Sequence, residues 1–199
     1  SGPTAHVDTF AADNLPPKDQ WPEFDFDSLP ILRSYPDRMN AGVELLDRMC
    51  NTGFGDKPVL YYEEMTWTYS DLRNVADQVA KVLVENYGLI PGNRVLLRSA
   101  NNPMLVACWF AVLKAGGICV TTMQLLRARE LAYIVEKAKI HHALCDISLA
   151  AEMEETCKRK PELRDTLYFS ATGVNDASLD QAVASKSGKF NNCDTAADD

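Results

Sequence analysis

The sequence predicts an α/β fold built on a mainly parallel sheet with helices on both faces. Between residues 68 and 170, short β-branched and apolar runs alternate with helical patterns of 10–15 residues, the order that builds βαβ units. The helical patterns carry start and stop signals, with Thr68 or Asn102-Pro103 in front and Gly88 or Gly116 behind. A chain of 199 residues with 46% apolar content is also large enough to bury a core between such layers.

The first 57 residues read as an extended arm followed by one helix. Pro3, Pro16, Pro17, Pro22, Pro30 and Pro36 exclude long helices there. Phe10, Leu15, Trp21, Phe24 and Phe26 are spaced to pin the arm across a surface. "NAGVELLDRM" then places Val43, Leu46 and Cys50 on one helical face, and Gly53 closes it. "DKPVLYYEEMTWTY" alternates as a hairpin with Glu63-Glu64 at its turn.

The α/β unit occupies residues 58–170. Thr68 and Asp71 have capping-box spacing, and Leu72, Val75, Ala76, Val79, Ala80 and Leu83 form the apolar face of the helix they start. "PGNRVLLRS" supplies a turn and a strand. Asn102 caps a helix whose first position is Pro103, and Gly116 stops it. "GICVTT" is the second strand, "RARELAYIVEKA" a helix, "HHALCD" the third strand, 148–160 a helix and "TLYFS" the fourth strand. Residues 171–199 are polar and small and are expected to be poorly ordered except around Leu179 to Val183.

Composition narrows the function. A net charge of −8 argues against nucleic acid or an anionic bilayer as partner, and the Lys158-Arg159-Lys160 run reads as a solvated helix end. From Met104 to Leu113 ten residues are apolar before Lys114 interrupts, too few to span a bilayer. The six cysteines show no C-x-x-C or metal-ligand grouping, which suits a reducing, cytosol-like compartment. The start "SGPTAHVDTF" lacks a signal-peptide core and a Met, so Ser1-Gly2 reads as an expression remnant.

The turns carry little chemistry. Neither "ANNP" nor "MQLLR" is a glycine-rich nucleotide loop, and Gly116-Gly117 ends a helix where a phosphate cradle needs glycine at a helix start. "KSGKF" lacks the upstream glycine of such a loop. His141 and His142 are adjacent on a strand, so they point apart and do not chelate one metal. Asp146 reads as a cap at a strand end, and Arg127 and Arg129 as surface residues where anion contact is conceivable. On residue chemistry alone there is no catalytic, cofactor-binding or metal-binding set.

The order of motifs is nevertheless specific. "TWTYSDL", "PGNRV" and "LKAGG", followed by "RARELAYIVEKAKIHHALCD", resemble the N-terminal part of the AMP-forming acyl-CoA synthetase (adenylate-forming) superfamily. "HVDTFAADNLPPKDQWPEF", "YPDRMNAGVELLDRM" and "LLRAREL" are similar to the 2-aminobenzoate-CoA ligase type, with benzoate-CoA ligases more distant. The resemblance implies the first subdomain of such a ligase. It implies a carboxylate that attacks ATP, with Mg²⁺ screening the phosphates, and CoA thiol displacing AMP from the acyl-adenylate. The family's Ser/Thr/Gly-rich phosphate loop falls after "CDTAADD", so its catalytic residues have no positions here, and the fragment is expected to be inactive alone. Members of the superfamily that the chain resembles usually carry proline where Gln124 stands. The implied partners of the parent are a small carboxylic acid, ATP and CoA, in the cytoplasm or the mitochondrial matrix. The fragment is expected to self-associate through the face that meets the next subdomain. The alternatives are a non-catalytic binding or scaffold module and, weakened by the missing glycine fingerprint, a dinucleotide-binding oxidoreductase domain.

Overall fold

The structure, a computed structural model, describes residues 3–25, 28–31 and 34–199. Phe26 lies outside the described residues. β1 (Pro58–Tyr62) and β2 (Met65–Thr68) form an antiparallel hairpin, with Glu63 at φ 51° in its turn. β3 (Arg94–Arg98), β4 (Ile118–Thr122), β5 (His142–Asp146) and β6 (Asp165–Phe169) form a parallel sheet in the order β4-β3-β5-β6. The helices are the single turn α1 (Phe10–Asp13), α2 (Tyr69–Lys81), α3 (Pro103–Lys114), α4 (Ala128–Ala138), α5 (Ala150–Arg159) and α6 (Ser178–Ala184). The expected fold class is therefore the observed one.

Both faces of the sheet are covered, and the period-two rule sorts β3 between them. Val95 and Leu97 join Leu144, Leu167 and Phe169 in a core shared with α2, α3 and α6. Leu96 joins Ala143 and Cys145 in a second core under α4 and α5, with Leu131, Val135 and Met153. Burial pushes the Cys145 thiol up to about 12, so it packs as an inert apolar group.

Local signals set the helix ends. Thr68 Oγ1 accepts from the Asp71 N–H at 3.2 Å while the Asp71 carboxylate accepts from the Thr68 N–H at 2.9 Å. Asn102 accepts from the Leu105 N–H at 2.9 Å, with Pro103 opening α3. The helical segment over residues 41–54 is wound partly as π-turns (Val43–Asp47 and Cys50–Phe54) and buries Leu46, with Gly53 at φ 91°. Its Val43 and Cys50 are only half-buried, so the predicted face narrows to Leu46.

One charged cluster lies inside the core. Lys114 is fully buried, with its Nζ 2.6 Å from Asp47 Oδ1 and 2.5 Å from Asp77 Oδ1. Asn192 donates to the other Asp47 oxygen at 2.8 Å. The cluster ties the 41–54 segment, α2 and the C-terminal residues to the end of α3. Sequence reading passed over it, although Lys114 is the sole charge in "PMLVACWFAVLK".

The arm and tail depart from expectation. The arm is pinned by polar groups more than by aromatics: Asp8 accepts from Arg94 at 2.6 Å and from Asn93 at 2.8 Å. Phe10 lies with its ring 4.8 Å from the Arg94 guanidinium carbon, whereas Leu15, Trp21 and Phe24 are exposed. The last residues do not hang free. Their backbone is hydrogen-bonded to that of Lys114, Met39 and Asp37.

Burial acts to raise the Asp8 carboxyl, but the Arg94, Phe10 and Asn93 hydrogen bonds outweigh it and hold it below the usual carboxylate range. A depressed carboxyl stabilises the docked arm above its unfolded value, about 3.9, and that stability is lost as pH falls through the lower folded value. An NMR titration of the Asp8 carboxyl is therefore expected to show a midpoint below 3.9, with the Val7 and Asp8 amides shifting in the same step. A midpoint at or above 3.9 would mean that the arm is not docked on Arg94.

Candidate functional site

Parallel α/β sheets bind ligands at the carboxyl ends of their strands, so the chemistry available there decides what this chain does. At that edge, the Asp146 carboxylate joins two turns, those after β3 and β5. Its Oδ2 accepts from Asn102 Nδ2 at 2.8 Å and Ser99 Oγ at 3.3 Å, and its Oδ1 accepts from the Ser148 N–H at 2.9 Å and hydroxyl at 2.7 Å. Asn102 also donates to Ser99 Oγ at 2.8 Å. Asp146 is the expected cap, and in addition it locks the β3–α3 turn, which its sequence position alone did not reveal.

Arg98 leaves the end of β3 on the α4 face. Its guanidinium donates to the carbonyls of Met123, Gln124 and Leu126 at 3.1, 3.0 and 2.8 Å. The loop after β4 is thus held by its carbonyls, which a proline at 124 would also possess. At the other end of β3, Arg94 donates to the carbonyls of Ala138 and Lys139 at the C-terminal end of α4, where a cation complements the helix dipole. The two arginines of β3 therefore bracket α4. Beside the first turn, Ser99, Asn101, Leu105, Thr122 and Leu125 line an open cleft of about 510 Å³.

The helix starts at this edge are already occupied. The Met104 N–H of α3 donates to the Ala171 carbonyl at 3.2 Å, and Asn102 takes Leu105. At α4, Glu130 accepts from the Arg127 N–H at 3.1 Å and Glu152 from the Ala128 N–H at 2.8 Å. Asp180, an acidic residue in the first turn of α6, accepts from the Ser170 N–H and hydroxyl just past β6, at 3.1 and 2.6 Å. Anions bind helix N-termini through free N–H groups and a positive potential. Carboxylates there remove both.

The remaining sequence candidates resolve individually. Gly116 and Gly117 spend their N–H groups on the Leu113 and Val112 carbonyls at the end of α3, so the pair caps a helix and cradles no phosphate. Arg127 is largely exposed and pairs with Glu152 at 2.8 Å, and Arg129 is exposed. His141 Nδ1 meets the Glu162 carbonyl at 2.9 Å, while His142 is buried with Nδ1 3.1 Å from Asp165. Burial pushes the His142 imidazole down, against the pull of Asp165. The two rings serve different contacts. Among the described residues, no group of three or more His, Cys, Asp or Glu side chains is placed to hold a metal. No helix among them is long and apolar enough to cross a membrane.

The frame of the site is thus a parallel sheet covered on both faces, with an antiparallel hairpin packed against α2. The chain belongs to the AMP-binding enzyme family, which it matches over residues 48–199. It is 28% identical over 98 residues to the 3-hydroxybenzoate–CoA/4-hydroxybenzoate–CoA ligase of Thauera aromatica, covering 49% of this chain and 18% of that protein. In structure it is similar to the anthranilate CoA ligase AuaEII solved with anthranoyl-AMP: TM-score 0.73, 19% identity, 87% of this chain and 31% of that one. A benzoate CoA ligase from Burkholderia xenovorans gives a TM-score of 0.67 at 18% identity, over 79% of this chain and 31% of that one. At such identities the structural likeness concerns the fold. The chain spans less than a third of the length of each of these relatives.

Proposed function

We propose that this chain is the first subdomain of an ATP-dependent, AMP-forming aryl- or acyl-CoA ligase, one wall of the substrate cleft with no nucleotide site of its own. The observation that carries the reading is the character of the strand-end edge. Met123, Leu125, Ile147 and Val174 project from the turns after β4, β5 and β6 and are exposed, while the helix starts beside them are closed by carboxylates or carbonyls. An apolar, anion-averse edge suits contact with a further subdomain better than contact with ATP. In this reading the Ser/Thr/Gly-rich loop that holds the phosphates lies beyond Asp199, and ATP, Mg²⁺ and CoA act in the complete protein.

The acid is 2-aminobenzoate or a related aromatic carboxylate. The motif resemblance supports this, and so do the hydroxybenzoate and anthranilate ligases among the similar proteins. The complete reaction would join carboxylate and ATP to an acyl-adenylate with release of pyrophosphate, and then exchange AMP for the CoA thiol. Isothermal titration of the 199-residue chain with ATP·Mg²⁺, 2-aminobenzoate and CoA in turn is expected to give no heat of binding. Micromolar binding of ATP·Mg²⁺ would contradict the assignment of the nucleotide site to residues outside this chain.

The exposed edge also carries a prediction for solution behaviour. Light scattering at rising concentration is expected to show self-association, which Met123→Gln together with Leu125→Gln reduces. A monodisperse monomer at millimolar concentration would show that the edge needs no cover.

A further inference from the structure

The two ends of the chain meet at the amino edge of the sheet, opposite the strand ends described above. Val7 and Asp8 donate their N–H groups to the Pro91 carbonyl, each at 3.0 Å, and Asp8 receives Arg94 and Asn93. Gly92, at φ 89°, lets the arm pass, since a Cβ there would stand 2.2 Å from the Asp8 carbonyl oxygen. The residues just before this anchor grip the C-terminal segment. The Asp199 carboxylate accepts from the Thr4 hydroxyl and from the Ala5 N–H at 2.9 Å. Arg38 donates to the Pro3 carbonyl at 2.5 Å and to the Asp194 carboxylate at 3.0 Å.

Beneath that grip, the segment lies on the body of the fold. Cys193 donates its N–H to the Lys114 carbonyl at 2.8 Å, Met39 to Thr195 at 3.0 Å, and Ala197 to Asp37 at 2.9 Å. Asn40 Nδ2 reaches the Cys193 carbonyl at 3.1 Å. The Cys193 thiol sits against Gly116, where a Cβ would come within 2.7 Å of its sulfur.

We propose that residues 3–10 form a strap that holds residues 192–199 against the end of α3, so that docking of the arm and placement of the C-terminal segment are one coupled event. If the ligase reading is right, that segment is the run-in to the phosphate loop, and the strap sets where the loop begins. The coupling itself is tested without that reading, on the 199-residue chain alone.

Cys193 is the reporter. The bonds of Asp8 go to Phe10, Pro91, Asn93 and Arg94, so Asp8→Asn acts on the segment through the arm. Peptide-resolved maleimide labelling is expected to show Cys193 reacting about tenfold faster in Asp8→Asn, with Cys108 in the core unchanged; tenfold corresponds to ~1.4 kcal/mol. Phe10→Ala, which removes the ring from the Arg94 guanidinium and so loosens the arm without altering a charge, is expected to give a rise of the same selectivity. Loss of exchange protection at Val7 and Asp8 with no change at Cys193 would overturn the strap, because the segment would then be held by the body alone. A parallel rise at Cys108 and Cys193 would also overturn it, because the effect would be global unfolding.

Discussion

Lys114→Ala is expected to cost about 3–5 kcal/mol of folding stability, the penalty for leaving buried charge uncompensated. The Nζ stands between Asp47 and Asp77 with no exposure to water, so its removal leaves two carboxylates facing a cavity. In urea unfolding, the midpoint is expected to fall with the slope unchanged. Asp77→Asn on the Lys114→Ala background is expected to recover part of the loss, although alone on the native background it destabilises. That reversal of sign separates an electrostatic cause from simple loss of volume. A cost below about 1 kcal/mol for Lys114→Ala would show that the cluster is solvated and does not join the 41–54 segment, α2 and α3.

Asp146→Ala is expected to cost about 3 kcal/mol, since it strands the buried donors of Asn102 and Ser99 and uncaps Ser148. The loss should be visible locally as faster amide exchange in residues 99–105 and 147–150, the two turns that the carboxylate joins. Asp146→Asn is expected to fall between, because one oxygen still accepts from Ser148 while the new amide faces the donor of Asn102. Stability within about 0.5 kcal/mol of the unmodified chain for Asp146→Ala would mean that the strand-end edge is not preorganised by this residue.

Much of the fold was legible because local chemistry and burial pattern agree in it. Thr68–Asp71 and Asn102–Pro103 start helices by hydrogen bonds that depend only on neighbours in sequence, and the structure has them at the expected positions. The β3 to β6 runs end within a residue or two of their sequence bounds. What sequence did not reveal depends on residues distant along the chain. The Asp8–Arg94 pair spans 86 positions and the Asp47–Lys114 pair 67, and no local pattern announces either. The tail illustrates the same limit: "NNCDTAADD" is polar and small, yet its order comes from backbone groups on Lys114, Met39 and Asp37. Sequence also held no signal that Asp146 would tie Ser99 and Asn102, because parallel pairing had first to bring β5 beside β3.

The strand-end edge follows the same division. That Gly116-Gly117 closes a helix was readable from the direction of the preceding pattern. That Glu130 and Glu152 occupy the start of α4 and that Asp180 ties the end of β6 was not, apart from the three-residue spacing of Arg127 and Glu130.

Carboxylate-dependent release of pyrophosphate from ATP tests this account most directly, measured in parallel on the 199-residue chain and on the protein encoded when the reading frame is followed past Asp199. The account predicts release by the longer protein with 2-aminobenzoate or a related aromatic acid, and none by the 199-residue chain. Release by the 199-residue chain, or a longer protein that leaves ATP intact with every aromatic acid offered, would contradict it.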